Sequence, residues 1–171
     1  MSDEIRTDRL VLRHARPEDA QRITELVSDP RIYRMVARIP ADQSLAQTLG
    51  WISGHDARRV ADTEHPYAIT LNGELVGMTG AHREAAPLPF EIGYWLAPAQ
   101  WGKGIVTEAA DAVLRWLQAR GERAFVSGYF ADNPASGRVL AKLGFMRAGR
   151  HKVFCLGRGE IVDHYDMAQI A

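Results

Sequence analysis

The chain has 171 residues, 46% of them hydrophobic, and its 21 basic side chains balance 21 acidic ones. That length suits one domain, residues 1–171, with a substantial core, and the charge balance excludes the basic excess of a nucleic-acid binder. No apolar run approaches the ~18 residues of a membrane span. The opening MSDEIRTDRL is charged and lacks a secretory apolar core, and the single Cys155 excludes a disulfide framework or a multi-cysteine metal site, so a cytoplasmic protein is expected.

In chain order, residues 10–14 read as a first strand. Pro17, Glu18 and Asp19 open a helix, with proline at its first position and acids in its first turn, and Ala20, Ile23, Leu26 and Val27 form its core stripe. Residues 31–36 suggest a short second helix and 37–43 a loop, after which Ser44 caps a longer helix carrying Leu45, Leu49, Ile52 and Val60. The period then changes from helical to alternating. Residues 67–71 and 74–82 are strands around Asn72-Gly73, a dipeptide suited to a tight hairpin because both turn residues need positive φ. A loop over 84–89 leads to a strand at Phe90, a helix over 105–120 and a strand over 125–130. A short helix opened by Asn133-Pro134 stops at Gly144, and strands over 145–156 and 160–169 close the chain. Neither repeats nor a linker interrupt this mixed α/β order.

The stretch FEIGYWLAPAQWGKGIVTEA, residues 90–109, carries the most information. Apolar Phe90, Ile92, Tyr94 and Leu96 alternate with Glu91, Gly93 and Trp95, and Pro98 ends the strand. The glycines of Gly102-Lys103-Gly104 let backbone approach a ligand closely, and a helix starts near Ile105. The first N–H groups of a helix lack internal partners and, with the helix dipole, make an anion site. The loop is not an ATP-type phosphate loop, since Ala97 stands where its first glycine belongs and Gly104 follows Lys103. Nor does it complete the dinucleotide fingerprint, because Thr107 replaces the third glycine. On its own a GxG is more often an ordinary turn.

Three segments jointly resemble the GNAT superfamily of N-acetyltransferases, and within it the ribosomal-protein-alanine N-acetyltransferase type. They are Thr7-Asp8-Arg9-Leu10-Val11-Leu12-Arg13; Glu91-Ile92-Gly93-Tyr94-Trp95-Leu96 with Trp101-Gly102-Lys103-Gly104 and Thr107-Glu108-Ala109; and Asn133-Pro134-Ala135-Ser136 with Lys142-Leu143-Gly144-Phe145. The resemblance implies a central, mostly antiparallel sheet flanked by helices and splayed between the Glu91 strand and the Phe125 strand. It implies acetyl-CoA as acyl donor with no metal. Its pyrophosphate would lie on the backbone of Trp101, Gly102, Lys103, Gly104, Ile105, Val106 and Thr107, with further contacts from Tyr94, Trp95, Leu96, Asn133 and Ser136. Two positions depart from the family pattern: Val106 stands where Gly or Ala is usual, and Leu140 occupies the place of a tyrosine acid, leaving Ser136 as the substitute.

Acyl transfer from a thioester to an amine needs a neutral nucleophile and stabilisation of the oxyanion and thiolate. Glu91, on the strand lining the cofactor, is the candidate base and acceptor contact, weighed against a solvent-facing strand acid. Backbone N–H groups near residues 94–96 would bind the oxyanion, as the resemblance implies. Tyr33, Trp51 and Trp95 are candidates for the acceptor pocket, with loops 37–43 and 84–89 around it. Asn133 reads equally as a helix cap and Glu108 as a first-turn acid complementing the dipole. Six histidines show no metal spacing; His151 and His164 lie on the last strands, candidates for the neighbourhood of the acceptor site weighed against surface or satisfied histidines, the commoner case. The resemblance implies a primary amine as acceptor, either a protein N-terminus or a small molecule; neither nucleic acid nor membrane is expected as partner, and a homodimer is left open. The competing reading is a non-catalytic coenzyme-A-binding module.

Overall fold

A computed structural model describes residues 4–171; the first three residues of the charged N-terminal stretch lie outside them. Its eight strands are β1 (Ile5–Arg6), β2 (Leu10–Arg13), β3 (Glu64–Leu71), β4 (Glu74–His82), β5 (Phe90–Leu96), β6 (Ala124–Phe130), β7 (Met146–Cys155) and β8 (Glu160–Ile170). They form one sheet in the order β1-β2-β3-β4-β5-β6-β8-β7. The pairings are antiparallel except β5 with β6. The helices are α1 (Ala20–Val27), α2 (Pro30–Tyr33), α3 (Leu45–Ser53), α4 (His55–Val60), α5 (Ile105–Ala119) and α6 (Pro134–Lys142), with a 3-10 turn at Pro17–Asp19 ahead of α1.

Local chemistry sets most of these boundaries. Ser44 Oγ accepts from the Gln47 N–H at 3.2 Å while Gln47 Oε1 accepts from the Ser44 N–H at 2.7 Å, a reciprocal capping box that starts α3. Asn72 and Gly73 take φ of 51° and 82°, which turns β3 into β4. The second helix is shorter than the 31–36 pattern predicts: it is held at its start by Asp29, which accepts from the Arg31 N–H, and ends at Tyr33. No helix among the described residues is long and apolar enough to cross a membrane.

Two cores form, one on each face of the sheet. Alternation along β3 sends Tyr67 and Ile69 to the face covered by α5, and Ala68 to the face covered by α1–α3. The first core gathers Leu10, Leu12, Phe90, Ile92, Ile105, Val113, Leu117, Phe125 and Leu140; the second gathers Ile23, Val27, Ile32, Ile52 and Met78.

The one parallel pairing among the described strands positions the site. β5 and β6 are joined by the crossover helix α5, and they pair only at Phe90 with Phe125 and Glu91 with Val126. Beyond that point they diverge, and Ser127 Oγ closes the fork by donating to the Ile92 carbonyl at 2.7 Å. The closed end is pinned by Arg83, whose guanidinium lies 4.0 Å from the Phe90 ring centroid and pairs with Asp62 and, at 3.0 Å, with Glu122. The resemblance implied this splay between the Glu91 and Phe125 strands, and the sheet has it.

Candidate active site

A continuous cleft of about 820 Å³ passes through the sheet at the β5–β6 fork. One mouth opens at the start of α5 and the other opens between the sheet and the segment after α2. Lining residues at the first mouth include Gly104, Ile105, Val106, Thr107, Asn133, Ser136, Arg138 and Lys142. Those at the second include Arg38, Gln43, Trp51, His82, Glu91, Trp95 and His164.

The first mouth is a backbone site. Gly102 and Gly104 both have φ of 74°, a left-handed conformation that glycine takes without strain. Gly104 is the residue preceding α5 and has no side chain to cap it. The N–H groups of Ile105, Val106 and Thr107 are therefore offered to a ligand rather than to a capping oxygen. The loop is braced from the turn between β1 and β2. Glu108 in the first turn of α5 accepts from Thr7 Oγ1 at 2.6 Å and from the Arg9 N–H at 3.1 Å, and it pairs with Arg9 Nε at 2.7 Å. Arg9 Nη1 also donates to the Lys103 carbonyl at 2.8 Å. The Thr7–Arg9 and Thr107–Glu108 segments, distant in sequence, are thus two halves of one clamp, and it holds the Glu108 carboxyl below its ordinary range against the opposing effect of burial.

The strand side of the cleft carries further donors. Ile92 sends its carbonyl toward β6, so by the two-residue period of a strand the Tyr94 backbone groups point into the open fork. The Tyr94 hydroxyl lies 2.8 Å from Ser136 Oγ and 3.2 Å from the Ser136 carbonyl. Burial pushes its pKa up to about 12, although the Ser136 bond pulls the other way, so it is a neutral hydrogen-bonding group at physiological pH. Trp101 is half exposed and anchors the loop by donating from Nε1 to the Leu96 carbonyl at 2.8 Å.

At the second mouth, Glu91 and His82 face each other across β5 and β4. Glu91 Oε2 is 3.2 Å from His82 Nε2, and the same nitrogen is 3.0 Å from Arg38 Nη2. One nitrogen cannot donate to the carboxylate and accept from the guanidinium at once, so these contacts alternate with the histidine's proton. The His82 hydrogen bond holds Glu91 below the ordinary carboxylate range, burial opposes it, and the charges of His82, Arg38 and His164 assist.

Several sequence readings stand differently in space. Lys103 does not line the cleft; its Nζ bonds the Ala99 carbonyl and Gln100 Oε1, both at 3.0 Å. Tyr33 lies outside the cleft, its ring packed against Gly157 in the β7–β8 turn, while Trp51 and Trp95 do line it. Loop 84–89 is also absent from the lining, because it precedes the closed end of the fork, whereas Ala37, Arg38, Ile39 and Gln43 are present. Asn133 precedes α6 but makes no side-chain capping bond, leaving its amide to the cleft. Leu140 is fully buried in the first core. Of the two histidines weighed for the acceptor site, His164 lines the cleft and His151 does not; His82, Arg138 and Lys142 are lining residues that sequence reading did not select, and Arg138 and Lys142, four apart on α6, could have been found as a basic stripe beside Asn133 and Ser136.

A splayed parallel pair within an otherwise antiparallel sheet, with a glycine loop and helix N-terminus at the fork, is the arrangement of the acetyltransferases that the motifs resemble. Residues 9–146 match the acetyltransferase (GNAT) domain, and the chain belongs to that family. It is 30% identical over 149 residues to the N-acetyltransferase YoaA of Bacillus subtilis, whose own activity is uncharacterized, covering 85% of this chain and 84% of that protein. It is 26% identical over 170 residues to the ribosomal protein uS5-alanine N-acetyltransferase of Escherichia coli, covering 92% and 86%. Among solved structures, the ribosomal L7/L12 α-N-protein acetyltransferase RimL in complex with coenzyme A shares the fold, with a TM-score of 0.88 over 98% of each chain at 24% identity.

Proposed function

We propose that this acetyltransferase moves the acetyl group of acetyl-CoA to a primary amine, by direct attack within a ternary complex. The observation that carries the reading is the cleft through the fork, which has a bare helix N-terminus at one mouth and the ionised Glu91 at the other. Cofactor and acceptor can then enter from opposite faces and meet beside β5. The residues present fit the cofactor: the backbone of residues 101, 102 and 104–107 and the amide of Asn133 would hold its phosphates, and Arg138 and Lys142 add positive charge beside them. The open edge at Tyr94 would accept the pantetheine arm and supply an N–H for the oxyanion. When bound, acetyl-CoA supplies the activated acyl group and the thiolate leaving group.

In this reading Ser136 Oγ hands a proton to the departing thiolate, with the Tyr94 hydroxyl positioning it. Glu91 meets the amine and takes a proton as the new N–C bond forms, because acylation makes that nitrogen strongly acidic and a weak base then suffices. The acceptor favoured is a protein N-terminal α-amine, since the relatives with assigned substrates act on ribosomal proteins; a small-molecule amine fits the same chemistry. A cytoplasmic location accords with a ribosomal-protein acceptor. A second reading, a non-catalytic coenzyme-A-binding module, is favoured by Leu140, buried where family members carry an acidic tyrosine. The test is thiol release from acetyl-CoA with a panel of N-terminal peptides and small amines. Release that depends on one acceptor class supports the enzyme, and tight coenzyme-A binding with no release on any acceptor supports the module.

A further inference from the structure

His164 stands out among the cleft residues as a side chain with a built support of its own. Its Nδ1 lies 3.0 Å from Asp166 Oδ1, and the same carboxylate receives His151 Nδ1 at 2.9 Å. A carboxylate only accepts, so Asp166 fixes the Nδ1–H tautomer and leaves His164 Nε2 as a bare acceptor. The ring lies over Gly128 of β6: a Cβ built there would fall 2.0 Å from His164 Cε1 and 2.5 Å from Nε2, so glycine is required for the imidazole to occupy this place. The Phe130 ring meets its other flank edge-on at 6.0 Å between centroids.

The register puts His164 on the acceptor side of the sheet. Phe130 pairs with His164, Gly128 with Asp166 and Glu91 with Val126, two residues before Gly128, so these side chains share one face. His164 lines the cleft, whereas His151 and Asp166 do not. The charged and titratable groups around it are Asp166 from its own strand, His151 from β7 and Glu91 from β5, the last near enough that a charge on His164 lowers its proton affinity.

Resting on the acetyl-transfer reading above, we propose that His164 is a catalytic base of the acceptor site, taking on Nε2 the proton that an incoming ammonium must lose before it can attack, with Asp166 positioning the ring. The protons balance. An ammonium, R–NH3+, and acetyl-CoA give the acetamide, free thiol and one H+. The first proton leaves for His164 and then solvent. The second leaves for Glu91 as the N–C bond forms, and the breaking C–S bond gains one proton at sulfur from Ser136; Glu91 then gives its proton up to solvent and Ser136 takes one back from solvent, so one H+ is released in all. The two nitrogen protons call for different bases. A peptide α-amine titrates at about 7.7–8.0, and among the side-chain bases that line the cleft imidazole is the type with an ordinary range nearest to that. A carboxylate held below its ordinary range takes a proton from so weak an acid poorly, yet serves well once acylation has made the nitrogen acidic.

The test uses the full chain, with a peptide that the wild-type protein acetylates and the same peptide bearing an aminooxy terminus, a nitrogen unprotonated at neutral pH. His164→Ala should lower kcat about 10²-fold or more on the amine at pH 7 with coenzyme-A affinity unchanged, and recover with added imidazole. Its defect should shrink toward pH 9, where the amine loses its proton unaided, and should largely vanish on the aminooxy peptide. Asp166→Asn, which keeps the shape but not the clamp, should show the same pattern at smaller amplitude. Gly128→Ala should reproduce it by expelling the ring. An equal defect on both peptides, or amine kinetics close to wild type in a folded His164→Ala protein, overturns the assignment while leaving the acetyl-transfer reading intact. A wild-type protein that acetylates no acceptor overturns that reading and this one with it.

Discussion

The two mouths of the cleft are built on different principles. The cofactor mouth is built round backbone, the stretch 101–107 with its shape dictated by two glycines at φ of 74° and a helix that begins without a capping side chain, and only α6 adds side chains beside it. The acceptor mouth is made of side chains from separate parts of the chain: Arg38 after α2, Trp51 on α3, His82 and Glu91 on neighbouring strands, His164 on β8. Backbone donors impose few demands on side-chain identity, so one such mouth can serve many relatives that share a donor. Side-chain walls can change residue by residue, so in the proposed reading the acceptor is selected there. Mutations at the acceptor mouth should therefore act on chemistry and acceptor choice, and those at the cofactor mouth on cofactor affinity.

The largest expected effect tests the acceptor side of this division. Glu91→Gln should lower kcat by about 10²–10⁴-fold, the usual contribution of a general acid–base group, while coenzyme-A affinity stays near wild type. In the wild-type pH–rate profile, activity that requires the Glu91 carboxylate ionised should fall as pH drops through its pKa, and that limb should lie below the ordinary 4.5 of a glutamate. The Gln variant should lack this limb. A near-normal kcat would sink the base role.

Acid should also loosen the acceptor wall from behind. His55 is 1% exposed, packs edge-on against the cleft residue Trp51 at 4.3 Å, and burial lowers its pKa from 6.5 to about 4, with Arg59 and Arg58 adding to the effect. The unfolded chain takes up this proton first, so its contribution to stability is complete above pH 6.5 and is lost as pH falls toward 4. The loss is on the order of 3 kcal/mol at the low end. Urea unfolding at pH 7 and pH 4.5 on wild type and His55→Phe should show a flatter pH dependence in the variant, and equal slopes would count against it.

How legible each mouth was follows from the same contrast. The strand, glycine loop and helix of residues 90–119 could be read because their periodicity and punctuation are local, and the hairpin at Asn72-Gly73 for the same reason. Glu108 read as a dipole acid, which its place in the first turn allows; its second task, gripping Thr7 and Arg9, depends on the β1–β2 turn lying beside α5. His164 read as one more scattered histidine because its meaning lies in the register, which brings Gly128 and Asp166 to it across strands. The resemblance puts the helices and loops after the first strand over the acceptor pocket and so points to Tyr33, but Gly157, far along the chain, packs against it elsewhere.

A middling effect is expected where the cofactor mouth is braced. Arg9→Ala removes the ion pair with Glu108 and the bond to the Lys103 carbonyl. The pair is partly exposed and contributes little by itself, but the loop carbonyl loses its restraint. Cofactor affinity should fall several-fold, corresponding to about 1 kcal/mol, with kcat at saturating cofactor little changed. Calorimetry with coenzyme A reads the first quantity and steady-state kinetics the second; a drop in kcat alone would blur the division between the mouths.

The smallest effect is expected at Val106, where the family pattern has Gly or Ala. Val106 lines the cleft and is half-buried against the first core, so it has a packing role as well as a place beside the loop. Truncation to alanine removes two methyl groups from a partly exposed site. The stability cost should stay near or below about 1 kcal/mol, since the transfer term is incomplete and the open side leaves no closed cavity. The backbone N–H of residue 106 survives the change. If the branched side chain crowds the phosphate, Val106→Ala should bind coenzyme A as tightly as wild type or up to a few-fold more tightly, at a slightly lower melting temperature. A clear loss of affinity in the folded variant would mean that the valine side chain, and not the backbone alone, shapes the cofactor mouth.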